Sequence, residues 1–153
     1  FKACWVGGSS VPVITADKLD TPLDYEDLQA AGTALGSAGC IVMDDSEGIV
    51  RATLRLSRFY RHESCGKCSP CREGTMWMTK ILDRMFAGEG RPEDLVLLDK
   101  VLGRVGGRVL CALADGAVAP IKSALDRFRP EFEQVARDGS PPPAPMIEHA
   151  ATA

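Results

Sequence analysis

The sequence predicts a mainly α-helical domain, a bundle of roughly four helices, preceded by the end of a small α+β unit. From Glu47 to about residue 138, apolar residues recur with the period of helices. Glycine and proline clusters cut that stretch into helix-sized pieces. Before residue 46 the order is strand, short helix and strand, with too few apolar residues to close a core alone.

Phe1 to Val6 alternates as a strand does, and Gly7-Gly8-Ser9-Ser10 ends it. Thr21-Pro22 precedes a short helix over Tyr25 to Ala31, stopped by Gly32. Cys40-Ile41-Val42-Met43 reads as a buried strand that Asp44-Asp45 terminates. In the next helix Ile49, Thr53, Leu56 and Tyr60 share one face, while Arg51, Arg55 and Arg58 line another. After a cysteine-bearing loop, Glu63 to Cys71, Ser69-Pro70 opens a helix with Met78, Ile81, Leu82 and Met85 on its apolar side. Gly88 and Gly90 end it.

Pro92-Glu93-Asp94 starts a third helix with acids suited to the positive end of its dipole. Leu95, Leu98, Leu102 and Val105 form its stripe, and Gly106-Gly107 stops it. A loop with Cys111 then leads to Pro120, read as the opening of a fourth helix bearing Ile121, Leu125 and Phe128. Pro130-Glu131 begins a last short one. The domain plan is therefore 1–45 for the α+β end, 46–138 for the helices, and 139–153 for a Pro-rich disordered tail.

Composition narrows the function classes. An apolar fraction of 45% and a charged fraction of 25% are ordinary for a globular chain. A net charge of −3 argues against a nucleic-acid surface. No stretch approaches the roughly 18 uninterrupted apolar residues of a membrane span, since Asp115 and Pro120 interrupt Val109 to Ile121. The chain opens Phe1-Lys2-Ala3-Cys4, with neither an initiator Met nor a signal-peptide pattern, and reads as the tail of a longer polypeptide.

The chemistry-bearing feature is Cys65-x-x-Cys68-x-x-Cys71. Two-residue spacers let one loop curl around a compact inorganic core and offer it three thiolates, the fourth ligand coming from afar. Cys111 is the candidate fourth, because two antiparallel helices bring the chain back near its start. A [4Fe–4S] cluster held by Cys65, Cys68, Cys71 and Cys111 is therefore expected. The alternative is a structural Cys4 zinc interaction module, although zinc sites usually use two separated Cys-x-x-Cys pairs. A disulfide framework does not suit so regular a spacing in an ordinary core-forming chain, and a reducing compartment follows.

Arg58, Arg61, Lys67 and Arg72 flank the motif against one local acid, Glu63. Gly66 is read as allowing close backbone approach. His62 is a lesser candidate, as a ligand, a donor to sulfur or a helix cap. Cys4 and Cys40 are expected to be small buried hydrophobes, and Trp77 to pack beside Met76, Met78 and Met85 in the helical core.

His62-Glu63-Ser64-Cys65-Gly66-Lys67-Cys68-Ser69-Pro70-Cys71-Arg72-Glu73-Gly74 resembles the signature of the NADH-binding flavoprotein subunit of respiratory complex I, the FMN- and iron–sulfur-carrying member of NADH-quinone oxidoreductase. Cys111-Ala112-Leu113-Ala114-Asp115-Gly116-Ala117 is similar to the stretch that supplies that family's fourth ligand. Gly7-Gly8-Ser9-Ser10 and Leu35-Gly36-Ser37-Ala38-Gly39, followed by Ile41-Val42-Met43-Asp44, resemble segments upstream of its cluster. One departure is Ala119, where many members carry an aromatic residue before the proline; it bears on local packing and not on the ligands.

The resemblance implies that residues 1–45 end a β-grasp (SLBB-like) domain and that the helices carry one [4Fe–4S] cluster. It implies electron transfer from FMN, reduced by NADH, through that cluster to further iron–sulfur clusters and toward quinone, as part of an NADH dehydrogenase enzyme. FMN and NAD(H) would belong to an upstream part, since nothing here resembles a flavin loop, and no residue here acts as acid, base or nucleophile. The implied partners are the two-iron cluster subunit and the large iron–sulfur subunit. The implied place is the cytoplasmic, or mitochondrial matrix, face of an energy-transducing membrane, without insertion. Similar modules in diaphorase subunits of NAD-linked hydrogenases and formate dehydrogenases are the competing reading.

Overall fold

The structure, a computed structural model, describes residues 1–139. Apart from Gly139, the Pro-rich stretch read above as a disordered tail lies outside the described residues. The elements are β1 (Ala3–Val6), α1 (Tyr25–Ala30), β2 (Cys40–Met43), α2 (Ile49–Glu63), α3 (Ser69–Phe86), α4 (Asp94–Val105), α5 (Leu113–Arg127) and α6 (Arg129–Asp138). None of these helices is long and apolar enough to cross a membrane.

β1 and β2 pair antiparallel, with Cys4 opposite Val42 and Val6 opposite Cys40. Alternation then divides β1 between two interiors. Cys4 and Val6 face Leu28 of α1 and Ile14, whereas Ala3 and Trp5 join the core of the helices. Asp24 caps α1 by accepting the Asp27 N–H at 2.8 Å. β2 departs from the expected buried strand: Met43 is buried, but Ile41 and Val42 are 41% and 65% exposed. β2 is an edge strand with only β1 beside it, so its apolar residues have no second layer among the described residues.

α2, α3, α4 and α5 close a ring in which α2 packs on α3 and α5, and α4 packs on the same two. Each presents one buried stripe. Met78, Leu82 and Met85 of α3, Leu98 and Leu102 of α4, and Ile121 and Leu125 of α5 are almost wholly removed from water. Burial of each such side chain contributes about 1.5–3 kcal/mol. α6 contacts all four ring helices and inserts Phe132 between them at the end opposite the cysteine loop. The expected four-helix bundle is present, with α6 closing its base.

α5 starts earlier than expected. It begins at Leu113, and Pro120 lies inside it rather than at its opening. Proline removes one donor and crowds the preceding turn, which made it a natural start signal. The residues before it, however, continue one buried face through Ala114, Ala117, Pro120, Ile121, Ala124 and Leu125. Tertiary burial of that face outweighs the local preference. Ser123 donates to the Pro120 carbonyl at 3.1 Å and accepts the Val13 N–H at 2.9 Å, tying the N-terminal unit to α5.

Small residues set the spacing on both sides of α3. At the α2–α3 contact Ser57 Oγ lies 2.9 Å from Thr79 Oγ1, and both side chains are buried. At the α3–α4 contact Gly74 lies so close to Val105 that a Cβ would overlap the valine γ-methyl. Gly74→Ala should therefore destabilise the folded chain by about 1–3 kcal/mol. Gly103, in the last turn of α4, has open space where its Cβ would go. Gly103→Ala should leave stability unchanged or raise it by up to about 1 kcal/mol. Urea unfolding midpoints of the two variants check the contrast, and equal midpoints would disprove the tight α3–α4 contact.

Candidate metal centre

The ring is antiparallel, so the C-terminus of α2, the N-terminus of α3, the C-terminus of α4 and the N-terminus of α5 gather at one end. Cys65, Cys68, Cys71 and Cys111 line a cavity of about 150 Å³ there. Val109 and Leu113 supply its apolar wall, and Glu63, Ser64 and Lys67 its polar edge. Cys71 is 7% exposed, Cys68 half-buried, and Cys65 and Cys111 open to solvent.

Each cysteine holds its place for a local reason. Cys68 is the N-cap of α3, and its carbonyl accepts the Arg72 N–H at 2.9 Å. Cys71 sits in the first turn of α3, where Thr75 Oγ1 donates to its carbonyl at 2.8 Å. Cys65 rides on the turn centred at Gly66, whose φ of +77° suits glycine. Gly66 is required for that angle and not for close approach, since a Cβ there would meet only Arg72 Cδ at an ordinary 3.7 Å. Arg72 fastens the turn by donating to the Gly66 carbonyl at 2.7 Å. Cys111 lies in the loop before α5, which Asp115 steadies by accepting the Gly107 N–H at 2.6 Å.

Two groups lie within hydrogen-bonding distance of sulfur. The Ser64 hydroxyl lies 3.3 Å from Cys71 Sγ, and the Leu110 N–H donates to Cys68 Sγ at 3.5 Å. The second contact joins the two loops directly. Sequence reading missed both: Ser64 stood unremarked inside the signature, and a backbone donor leaves no trace in residue type. α3 and α5 also begin at this cavity, so their positive dipole ends favour negative charge inside it.

The flanking cations divide. Lys67 lines the cavity, whereas Arg58 pairs with Asp83 along the bundle wall. His62 is exposed in the last turn of α2 and is not among the lining residues. Among the described residues, no three His, Cys, Asp or Glu side chains converge as a single metal ion requires. The four thiols are among the residues that line one cavity.

Cys4 and Cys40 stand apart on the sheet. Cys4 is buried as expected, but Cys40 is exposed, because its edge strand lacks a covering layer. Burial, then the neighbouring Cys40, pushes the Cys4 thiol above its ordinary value. Trp77 also departs from expectation: it is 50% exposed rather than packed with Met78 and Met85, which are fully buried, while Met76 is half-buried.

Residues 51–135 match the family described as the NADH-ubiquinone oxidoreductase-F iron-sulfur binding region. The chain is 47% identical over 126 residues to an NADH-quinone oxidoreductase subunit of Mycobacterium tuberculosis, a match covering 82% of this chain and 28% of the relative. It is 48% identical over 128 residues to the protein of the same name in Streptomyces coelicolor, covering 84% and 28%. The chain thus spans less than a third of the length of these relatives. Among solved structures, it superimposes on a chain of an NAD+-reducing NiFe-hydrogenase with a TM-score of 0.80 at 28% identity. That superposition covers 94% of this chain and 24% of the other, in the air-oxidized state.

Brief treatment of the native chain with iodoacetamide at neutral pH should modify Cys40 and leave Cys4 largely unreacted. Thiolate is the reacting species, so both burial and a raised pKa slow Cys4. Peptide mass spectrometry reads the two sites, and comparable labelling would contradict the division of β1 between two interiors.

Proposed function

The chain belongs to the NADH-ubiquinone oxidoreductase-F iron–sulfur binding family, and on that premise we propose that it is an electron-transfer module whose Cys65, Cys68, Cys71 and Cys111 hold a [4Fe–4S] cluster. One observation carries the ligand assignment: all four thiols line one cavity although Cys111 is distant in sequence. When bound, such a cluster supplies a one-electron carrier. The chain's own residues hold and shield it. Cys71 is anchored through Thr75, Val109 and Leu113 limit water, and Ser64, the Leu110 N–H and Lys67 offset negative charge.

The wider activity follows the same reading. Electrons would come from FMN reduced by NADH in a preceding part of the polypeptide and leave through partner iron–sulfur subunits toward quinone, in a complex I assembly peripheral to its membrane on the cytoplasmic or matrix side. Residues 1–45 would complete a β-grasp domain whose other strands cover Ile41 and Val42. The NADH-quinone oxidoreductase context is preferred to a hydrogenase or formate dehydrogenase one because relatives of the former name are 44–48% identical, against 28% for the hydrogenase chain. A zinc module fits less well, because zinc sites usually use two separated Cys-x-x-Cys pairs, whereas three of these cysteines run in tandem with one distant partner.

Cys111→Ala should remove one thiolate, converting the centre to a three-iron form, recruiting an outside ligand, or preventing assembly. The bundle should loosen as well, since metal-binding energy is partly folding energy. Cys40→Ala trims a side chain away from the cavity and should spare both iron and fold. Iron and acid-labile sulfide per chain, with low-temperature paramagnetic spectra after reduction, compare the two variants. Full iron and an unchanged spectrum in Cys111→Ala would sink the ligand set, and zinc in place of iron would favour the structural module.

Ser64→Ala tests the hydroxyl. A donor to a thiolate favours the more negative, reduced centre, so its loss should lower the midpoint potential. A hydrogen bond worth about 1 kcal/mol corresponds to roughly 40 mV for one electron. Redox titration with unchanged iron content is the measurement, and an unmoved potential would leave Ser64 with no tuning role.

A further inference from the structure

Beside the cysteine loop, α3 and α4 flank a groove separate from the cysteine cavity, floored in part by the outer edge of the bundle core. Pro70, Gly74, Trp77, Leu97, Val101 and Val105 give it an apolar floor with a volume of about 450 Å³. A second hollow of about 190 Å³ continues it past Trp77 over Ile81. Trp77 is 50% exposed and Leu97 is 44% exposed, both on this face. Pro70 and Ile81 lie eleven helical steps apart, about 16 Å, which matches three turns of a docked helix.

The rim is basic on both sides. Lys80 and Arg84 stand on α3, and Lys100 and Arg104 on α4. Arg84 is committed to Asp94, and the one acid in the lining, Glu73, is paired with Arg72. Lys80, Lys100 and Arg104 are exposed, with no ion-pair partner among the described residues. A second copy of this chain would set like charges against one another across such a contact, at an energetic cost.

The geometry points to a docking site for an acidic amphipathic helix of a partner subunit, its apolar stripe laid along Trp77 and Leu97 and its carboxylates on Lys80, Lys100 and Arg104. The groove begins at Ser69 and Pro70, between Cys68 and Cys71. A helix seated there therefore places its own subunit beside the metal centre. The use of the contact in electron transfer rests on the proposed function; the contact itself rests on the groove and its charges.

The test uses the full-length polypeptide in its purified, assembled complex. A photo-reactive benzoylphenylalanine replaces Leu97, with a control at Phe59, which is 49% exposed on α2 and outside the groove. Illumination should join position 97 to a partner segment in which Asp and Glu flank an apolar stripe, and position 59 should not reach that segment. Adding Lys100→Glu and Arg104→Glu should lower the position-97 yield at least tenfold and let the partner dissociate at lower salt. The paramagnetic signal per chain should stay unchanged, showing that the variant folds. Cross-links confined to residues 140–153 of this chain, to a second copy, or to a basic segment would overturn the proposal. So would an absence of cross-links, or a yield indifferent to charge reversal. A native complex without a cluster signal from this chain would instead count against the electron-transfer function, leaving the cross-link to judge the groove.

Discussion

The absence of a side chain at Gly74 governs the distance between two loops that meet nowhere in the sequence. Because no Cβ stands there, Val105 seats directly against α3, three residues beyond Cys71. α4 ends at that contact, and the chain leaving it passes beside the start of α3 before α5 begins. Leu110 is thereby brought within hydrogen-bonding distance of Cys68 Sγ, and Cys111 joins the cavity. A wider α3–α4 spacing would carry Cys111 away from the other three thiols. The packing of these two helices thus bears on the cavity that the four thiols share.

The same end of the bundle faces two demands that usually oppose each other. Anionic sulfur needs nearby positive charge or donors, yet an electron carrier also needs limited water. The helices answer with geometry more than with charged side chains. The N-termini of α3 and α5 supply unpaired amides and aligned dipoles. Arg72 spends its guanidinium on the Gly66 carbonyl and Glu73, shaping the loop instead of facing the cavity. Arg58 likewise ties α2 to α3 through Asp83. Of the four cations that sequence placed around the motif, Lys67 is the one lining the cavity.

Much of the fold was legible because its signals are local. The stripes of α3 and α4 follow the helical period, and the glycines after each helix stop it where expected. The failures share a cause. Pro120 reads locally as a helix start, and Cys40, Ile41 and Val42 read locally as a buried strand. In each case burial decided the outcome: a continuous apolar face carries α5 through Pro120, and the lack of a second layer leaves β2 exposed. Trp77 failed the same way. Its place one residue before Met78 did not reveal that it turns outward, into a groove with Leu97.

Residue identity and spacing by themselves determined the cysteine loop, since three thiols two residues apart must lie close together in any compact conformation of the chain. They also determined the helical class, because a 3.6-residue apolar period can bury its stripe only against neighbouring helices. Tertiary structure alone decided that Cys111 lines the same cavity as the other three thiols, that Ser64 and the Leu110 N–H lie beside sulfur, and that Lys80, Lys100 and Arg104 border an apolar groove. Those relations join residues on different elements. Their distances depend on how closely α2, α3, α4 and α5 approach, and side-chain volumes at contacts such as Gly74–Val105 and Ser57–Thr79 set that approach.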